Sequence, residues 1–593
     1  MVEFPALGAG GPHTLRITCG REEMEFRDIL IGDLWFCSGQ SNMEFPVANS
    51  LNAKAAIRRA NLPLIRHFKV ERMAADQPAD DVQGDWAVCD PATVGRFTAV
   101  GFYFARQIHR KTGVPVGLIH SSWGGTPIES WLPPEAYRTF PCLKPLLKTE
   151  AKLKRPGLML QAALRKWERE QVSVDTGNQG ETWGWARTDF NDRKWGKLKV
   201  PGFWEGQGLA IDGAVWFRRR CNIPAAWRGQ ELQLELGPID DFDETYCSGV
   251  KIGSTGPDIP DAFKAPRIYK IPGDLVMSAR VILAVRIFDR FGSGGFVGRP
   301  EMLKLSCPAC PDDPAVRLSG RWRYEVERSV ERPSPVPQPP ALPEPQARLS
   351  RLYNGMVHAF CRLPIRGFLW YQGESNAFRA AHYRVSFPAM IESWRRCWGI
   401  PELPFYFVQL ANFKSPPTHP GEDCWAELRE AQALALAIKN TGMAVSIDVG
   451  EAGDIHPRNK QAVGQRLALL ALDRDYGKNV AADGPIPSGI DFEVDRCVIK
   501  FDHYGKGLRS SDEKLLRGFA LAGRNRRWQW AAARIIGADL VEVRAPGVQK
   551  PTALRYGWAT NPDCNLENSH GLPAAPFRTD KHAQTTEGNL WPF

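Results

Sequence analysis

No run of about 18 apolar residues occurs in this chain, so no membrane-spanning helix is expected. The opening "MVEFPALGAGGPHTLRITCG" holds no basic segment followed by an apolar one, so no signal peptide is visible. Strong charge of one sign is also missing. The 76 basic and 66 acidic residues leave a net charge of +10, small for 593 residues, and the basic residues are scattered. The arginines of "GRNRRWQW" and "WRRCW" therefore read as solvated faces, or as cations packed on tryptophan, and no nucleic-acid partner is expected. Among 13 cysteines, only Cys307 and Cys310 form a C-x-x-C pair. Without a second such pair there is no zinc-site spacing, and the two read as a local disulfide or as thiols. Also absent are H-E-x-x-H, the P-loop lysine motif and the G-x-S-x-G elbow. Their absence disfavours zinc-protease, nucleotide-hydrolase and common α/β-hydrolase layouts.

What is present is a long chain of ordinary globular composition, 43% hydrophobic and 24% charged, which predicts several domains rather than one core. Strand-like runs cover residues 14 to 36. "AVGFYFARQIHRKTG" then has helical spacing and ends on Gly113, and "VPVGLIHSSWGG" reads as a buried strand with a glycine turn behind it. A helix followed by an apolar strand predicts βαβ units and a parallel sheet. After a helix in "GLMLQAALRKWEREQ", short strands separated by Gly, Pro and Asp predict a β-sandwich, ending in the proline-dense "ERPSPVPQPPALPEPQ". Alternation of helix and strand resumes near residue 350. "GFLWYQGESN", "PFYFVQLANF" and "GMAVSIDVG" read as strands; "WAELREAQALALAIKN" and "RNKQAVGQRLALLALDRDYG" read as helices. From about 480 onward the pattern is β again. The expected division is 1–28, an N-terminal β remnant; 29–160, an α/β domain; 170–330, an inserted β-sandwich; 331–346, a linker; 347–478, the second part of the α/β domain; and 479–593, a C-terminal β-domain.

In an open α/β sheet the ligand site lies beyond the carboxyl ends of the strands. Four polar loops fall there: "SGQSNME", "SSWGGTPIESW", "WYQGESNA" and "EAGDIHP". Together they hold what acyl transfer needs. Ser41 is a candidate nucleophile, and His456 a candidate base, since a serine hydroxyl is inert at neutral pH until a base takes its proton. Asp454 is placed to orient the imidazole. Gly124 and Gly125 can present backbone N–H groups to an oxyanion, and Gln372 or Asn376 can add an amide. Gly39 permits the turn before Ser41, and Asn42 is expected to cap the helix that follows. Each signal alone is also what an ordinary turn would show; their joint occurrence behind successive strands carries the reading. Ser375 in "GESNA" is a rival nucleophile. Glu374 with Asp454 leaves a glycosidase open, and an inert glycan-binding protein with its affinity in the inserted domain is a third reading.

At these loops the sequence resembles the sialate O-acetylesterase family of the SGNH (GDSL-like) hydrolases. The matching stretches are "DLWFCSGQSNMEFPV", "SSWGGTPIESWLP", "LYNGMVHAFCRLPIRGFLWYQGESNA", "DIHPRNKQAVGQRLA" and the tail "RYGWATNPDCNLENSHGLPAAPFRTD". The stretch from "ETWGWARTDFNDRKWGKLKVPGFWEGQG" is similar to jelly-roll modules of glycoside hydrolases. The resemblance implies a flavodoxin-like three-layer α/β/α domain, interrupted by a jelly roll, that removes acetyl groups from sugar hydroxyls with no metal or cofactor. It implies Ser41 as nucleophile, His456 as base, and an oxyanion hole of the Ser41 N–H, Gly125 and Gln372. Asn376, Glu374 and Trp123 are expected to bind an acetylated glycan substrate.

Three departures stand out. The wider superfamily places the acid three residues before the histidine, where this chain has Gly453; Asp454 or a backbone carbonyl then orients His456, with Asp448 a distant substitute. The superfamily's G-x-N block reads "GES", which puts Ser375 at the amide position and leaves the donor role to Gln372 or Asn376. Family members usually carry a signal peptide and a fuller β-domain ahead of "GGPHTLRITCGREEMEFRDILIGDLW". A late start is therefore expected for this chain, and a periplasmic or secreted native protein.

Overall fold

The computed structural model describes residues 7–153, 156–171, 175–330 and 342–591. The chain forms two compact units, Met1–Lys154 with Ala341–Phe593, and Arg155–Pro340.

The first unit is built on a seven-stranded sheet. Its order is Thr441–Ala444, Phe405–Val408, Gly367–Tyr371, Asp33–Gly39, Val116–Ser122, Leu62–Val70 and Gly84–Cys89. All neighbours are parallel except the last pair. The central strand alternates its apolar side chains between two cores, as a strand covered on both faces must. Phe36 joins Phe368, Trp370 and the helix Ala380–Trp398 on one face. Trp35 and Cys37 join the helices Ala99–Thr112 and Lys460–Arg474 on the other. The result is a three-layer α/β/α arrangement. The helix Ala99–Thr112 ends on Gly113 in the left-handed region, φ 77°, as the sequence predicts.

Two predicted elements are shorter than their apolar patterns. The helix expected through "WAELREAQALALAIKN" is α-helical over Cys424–Leu434 and continues as a 3₁₀ turn, Ala435–Ala437. The strand expected through "GMAVSIDVG" stops at Ala444. Beyond it the chain turns, with the Val449 N–H on the Ser446 carbonyl, and Gly450 docks against Asn412. A Cβ at Gly450 would lie 1.9 Å from the Asn412 carbonyl oxygen, so only glycine fits there.

This unit also carries an antiparallel hairpin, Gly10–Cys19 with Glu22–Ile31, and a C-terminal seven-stranded antiparallel sheet with its own core around Phe501, Phe519, Val541 and Tyr556. The second unit contains two six-stranded sheets whose apolar side chains meet in one core that includes Trp204, Phe217, Leu234, Val285 and Trp322. That is a β-sandwich. The proline-rich linker expected over 331–346 lies, for residues 331–341, outside the described residues. All 13 cysteines are thiols, Cys307 and Cys310 included. Among the described residues no helix is long and apolar enough to cross a membrane.

Candidate active site

Gly39, Ser122 and Tyr371 stand side by side where three central strands end. Gly39 has φ 136°, and a Cβ there would lie 2.1 Å from the Tyr371 carbonyl oxygen; the close approach of the strands requires glycine. The chain then turns into a one-turn helix, Ser41–Glu44, opened by Gln40. Ser41 is its first residue, held at the sheet edge by the Gln40 N–H on the Tyr371 carbonyl (3.0 Å).

His456 arrives from the far end of the chain on the loop after Asp454. Its Nε2 is 2.9 Å from the Ser41 Oγ, and its Nδ1 is 3.1 Å from the Asp454 Oδ1. The same Asp454 oxygen accepts the His456 backbone N–H at 2.8 Å. That N–H is the first cause of an Asp454 carboxyl held below its ordinary range. With Nδ1 protonated and donating to Asp454, Nε2 is left to accept the serine proton. Asp454 thus reaches the imidazole from two residues before it. Asp448 instead pairs with Arg466, both its oxygens 2.6 Å from the guanidinium.

The glycine turn also reaches the serine. A Cβ at Gly124 would sit 3.2 Å from the Ser41 Cβ, so residue 124 must stay small. The Gly124 N–H is taken by the Glu44 carboxylate (3.0 Å), whereas Gly125, at φ 74°, faces open space. Trp123 is half-buried beside them, with the Arg72 guanidinium 5.4 Å from its ring centre.

Three expected roles are corrected. Gln372 is fully buried, and its Nε2 donates to the Thr126 carbonyl (3.2 Å) and to the Asn376 Oδ1 (2.7 Å). Asn376 is fully buried too, with its Nδ2 donating to Glu129 (2.9 Å) and its Oδ1 accepting the Ile128 N–H (2.9 Å). Neither amide is open to an oxyanion or a sugar. They belong to a buried network around Glu129, where burial alone would raise the carboxyl, but Arg379, His382 and the Asn376 amide outweigh it and hold it down to about 2. Glu374 is turned inward as well. Its Oε1 accepts from Asn42, and its Oε2 is buried without a hydrogen-bond partner. The residue is half-buried, but its carboxylate is engaged inside the protein rather than presented beside the exposed Asp454.

Asn42 does not cap the helix; it lies within it and ties the site together. Its Nδ2 donates to Glu374 and to the Ile455 carbonyl (3.1 Å), one residue before the histidine. Its Oδ1 accepts from the Nζ of Lys460, which is fully buried and lies 4.8 Å from the Phe45 ring centre and 5.3 Å from that of Tyr371. Burial pushes the Lys460 ammonium down to about 7 and the Glu374 carboxyl up, each partly offset by the other's charge. Sequence reasoning passed over Lys460. The signal was its position: a lysine opening a helix sits at the end that disfavours cations, so something other than the helix holds it there.

A strand-end serine, hydrogen-bonded to an imidazole that a carboxylate contacts, has the geometry that acyl transfer requires. Known proteins place the chain among carbohydrate esterases. Residues 344–473 match the family model "Carbohydrate esterase, sialic acid-specific acetylesterase". The sialate O-acetylesterase of Pongo abelii is 32% identical over 616 residues, spanning 97% of this chain and 81% of that protein. The Mus musculus sialate O-acetylesterase is 23% identical, spanning 97% and 83%. The crystal structure of a carbohydrate acetylesterase from Xanthomonas citri superimposes with a TM-score of 0.60 at 27% identity, covering 98% of this chain and 87% of that one. The chain belongs to the sialate O-acetylesterase family.

Proposed function

We propose that the chain hydrolyses acetyl esters on sugar hydroxyls through an acetyl-serine intermediate, with acetylated glycans as substrates. The observation that carries the reading is the 2.9 Å contact between Ser41 Oγ and His456 Nε2, with Asp454 behind the ring. His456 takes the serine proton as Oγ attacks the acetyl carbon. The oxyanion that forms is met by the N–H groups of Ser41 and Gly125. His456 then gives its proton to the departing sugar oxygen. Water attacks the acetyl-serine with His456 again as base, acetate leaves, and the serine regains its proton. Trp123 is the aromatic surface we assign to sugar contact. We read the α/β/α layers as an SGNH-type, flavodoxin-like domain, the inserted sandwich as a jelly roll, and the native location as periplasmic or secreted.

The test is hydrolysis of an aryl acetate by the wild type and by Ser41→Ala. A loss of roughly 10⁴-fold or more in kcat is expected; equal rates would remove Ser41 from the mechanism. An acetate-release screen across acetylated polysaccharides then identifies the sugar, and no release from any of them would overturn the substrate class.

A further inference from the structure

The inserted sandwich gathers carboxylates at one end of its two sheets. Asp212 begins the strand Asp212–Asn222 and Asp289 ends the strand Arg280–Asp289, paired in one sheet. Glu205 follows the short strand Gly202–Phe203 of the other sheet. Oxygen atoms of Glu205, Asp212 and Asp289 all lie within 4.8 Å of one another. Asp289 is fully buried. Its Oδ1 accepts the Phe291 N–H (3.1 Å), but its Oδ2 has no hydrogen-bond partner.

A buried carboxylate oxygen that has no hydrogen-bond donor and lies among other carboxylates, as the Asp289 Oδ2 does, takes up a proton or faces a cation. Asp241 contributes its own carboxylate nearby, engaged with Arg290. An all-oxygen donor set selects a hard cation. Calcium binds oxygen at about 2.3–2.6 Å, so ligands on opposite sides of one ion lie about 4.6–5.2 Å apart. Magnesium, at about 2.0–2.1 Å, spans less.

We propose that Glu205, Asp212 and Asp289 form a calcium site that clips the two sheets of the inserted sandwich to each other. Water completes the six to eight oxygens that calcium takes. The role is structural. The ion replaces a repulsion between the sheets with shared coordination, and it would leave turnover at Ser41 unaffected.

The full-length protein, stripped with chelator, gives the test. Trp204 precedes Glu205 and is fully buried, so terbium in the site would luminesce on excitation of tryptophan. Terbium luminescence that calcium displaces, one calcium retained per chain by native mass spectrometry, and a thermal midpoint several degrees higher with calcium than with chelator are expected. Asp289→Asn should weaken calcium binding by about 10- to 100-fold, with an unchanged circular-dichroism spectrum of the chain as evidence of folding and aryl-acetate turnover unchanged. If that variant does not fold, the wild-type retention and thermal shift decide. No retained calcium, as expected if Asp289 is merely protonated, would overturn the proposal. So would equal binding of magnesium, or unchanged calcium affinity in folded Asp289→Asn.

Discussion

The two halves of the Ser41–His456 pair are held in different ways. The serine sits at the end of a strand paired on both sides, between a glycine that lets Tyr371 approach and a glycine that lets the Trp123–Gly125 turn approach. The histidine sits on a loop, its side chain 35% exposed and that of Asp454 54% exposed. Its anchors are few: Asn42 on the Ile455 carbonyl, Glu451 on Arg458, and the Leu51 N–H on the Arg458 carbonyl. Regular structure positions Ser41 and local hydrogen bonds position His456. Steric change should therefore be poorly tolerated on one side, and charge change screened by solvent on the other.

The largest effect is expected where both halves depend on one group. His456→Ala should lower kcat roughly 10⁴-fold or more, with KM changed little, in aryl-acetate kinetics. Next is a steric test of the serine side. Gly124→Val places a branched Cβ against the Ser41 Cβ and should cost about 100-fold in kcat; a near-normal rate would show that the serine side is as adaptable as the loop. Asp454→Asn probes the exposed side and should cost only about tenfold, far below the roughly 10⁴-fold seen for a buried triad aspartate. Because the His456 backbone N–H holds Asp454 below its ordinary range, the carboxylate stays charged at neutral and mildly acid pH. The deficit should accordingly be constant from about pH 5 to 9, and a pH profile of kcat checks it.

The smallest effect concerns the tie between the halves. Lys460 falls from 10.5 to about 7 on burial. The unfolded chain therefore binds more protons at this residue across that interval, so its contribution to stability rises with pH from about 7 to 10.5. Below that window the full cost of burying the ammonium is present. Lys460→Met should flatten this part of the pH profile of the thermal midpoint, and an unaltered slope would contradict the assignment.

The sheet, the helix ending on Gly113 and the four loops were legible in the sequence because apolar periodicity and glycine mark strand ends directly. The Ser41, Gly124 and His456 positions followed from them. The amides were not legible. Gln372 and Asn376 lie in a polar loop, and nothing in that loop reveals that Glu129, Thr126 and Ile128 take their hydrogen bonds from more than 240 residues away in the chain. A pattern of residue types separates polar from apolar, but it does not say whether a polar group faces substrate or another buried polar group. Glu374 and Asn42 were misassigned for the same reason.

The interruption of the catalytic sheet has a consequence in time. The Asn42–Glu374 hydrogen bond joins residues 332 positions apart, with the whole inserted sandwich between them. At about 5–20 residues per second, a ribosome needs roughly 15 to 65 seconds to make that stretch. For that interval the strand carrying Ser41 has been made and its central neighbour, Gly367–Tyr371, has not. The inserted sandwich, whose strands are all contiguous in the chain, can finish folding first. The esterase site is then among the last parts of the molecule to close, and no nascent fragment ending before His456 can carry the serine–histidine pair.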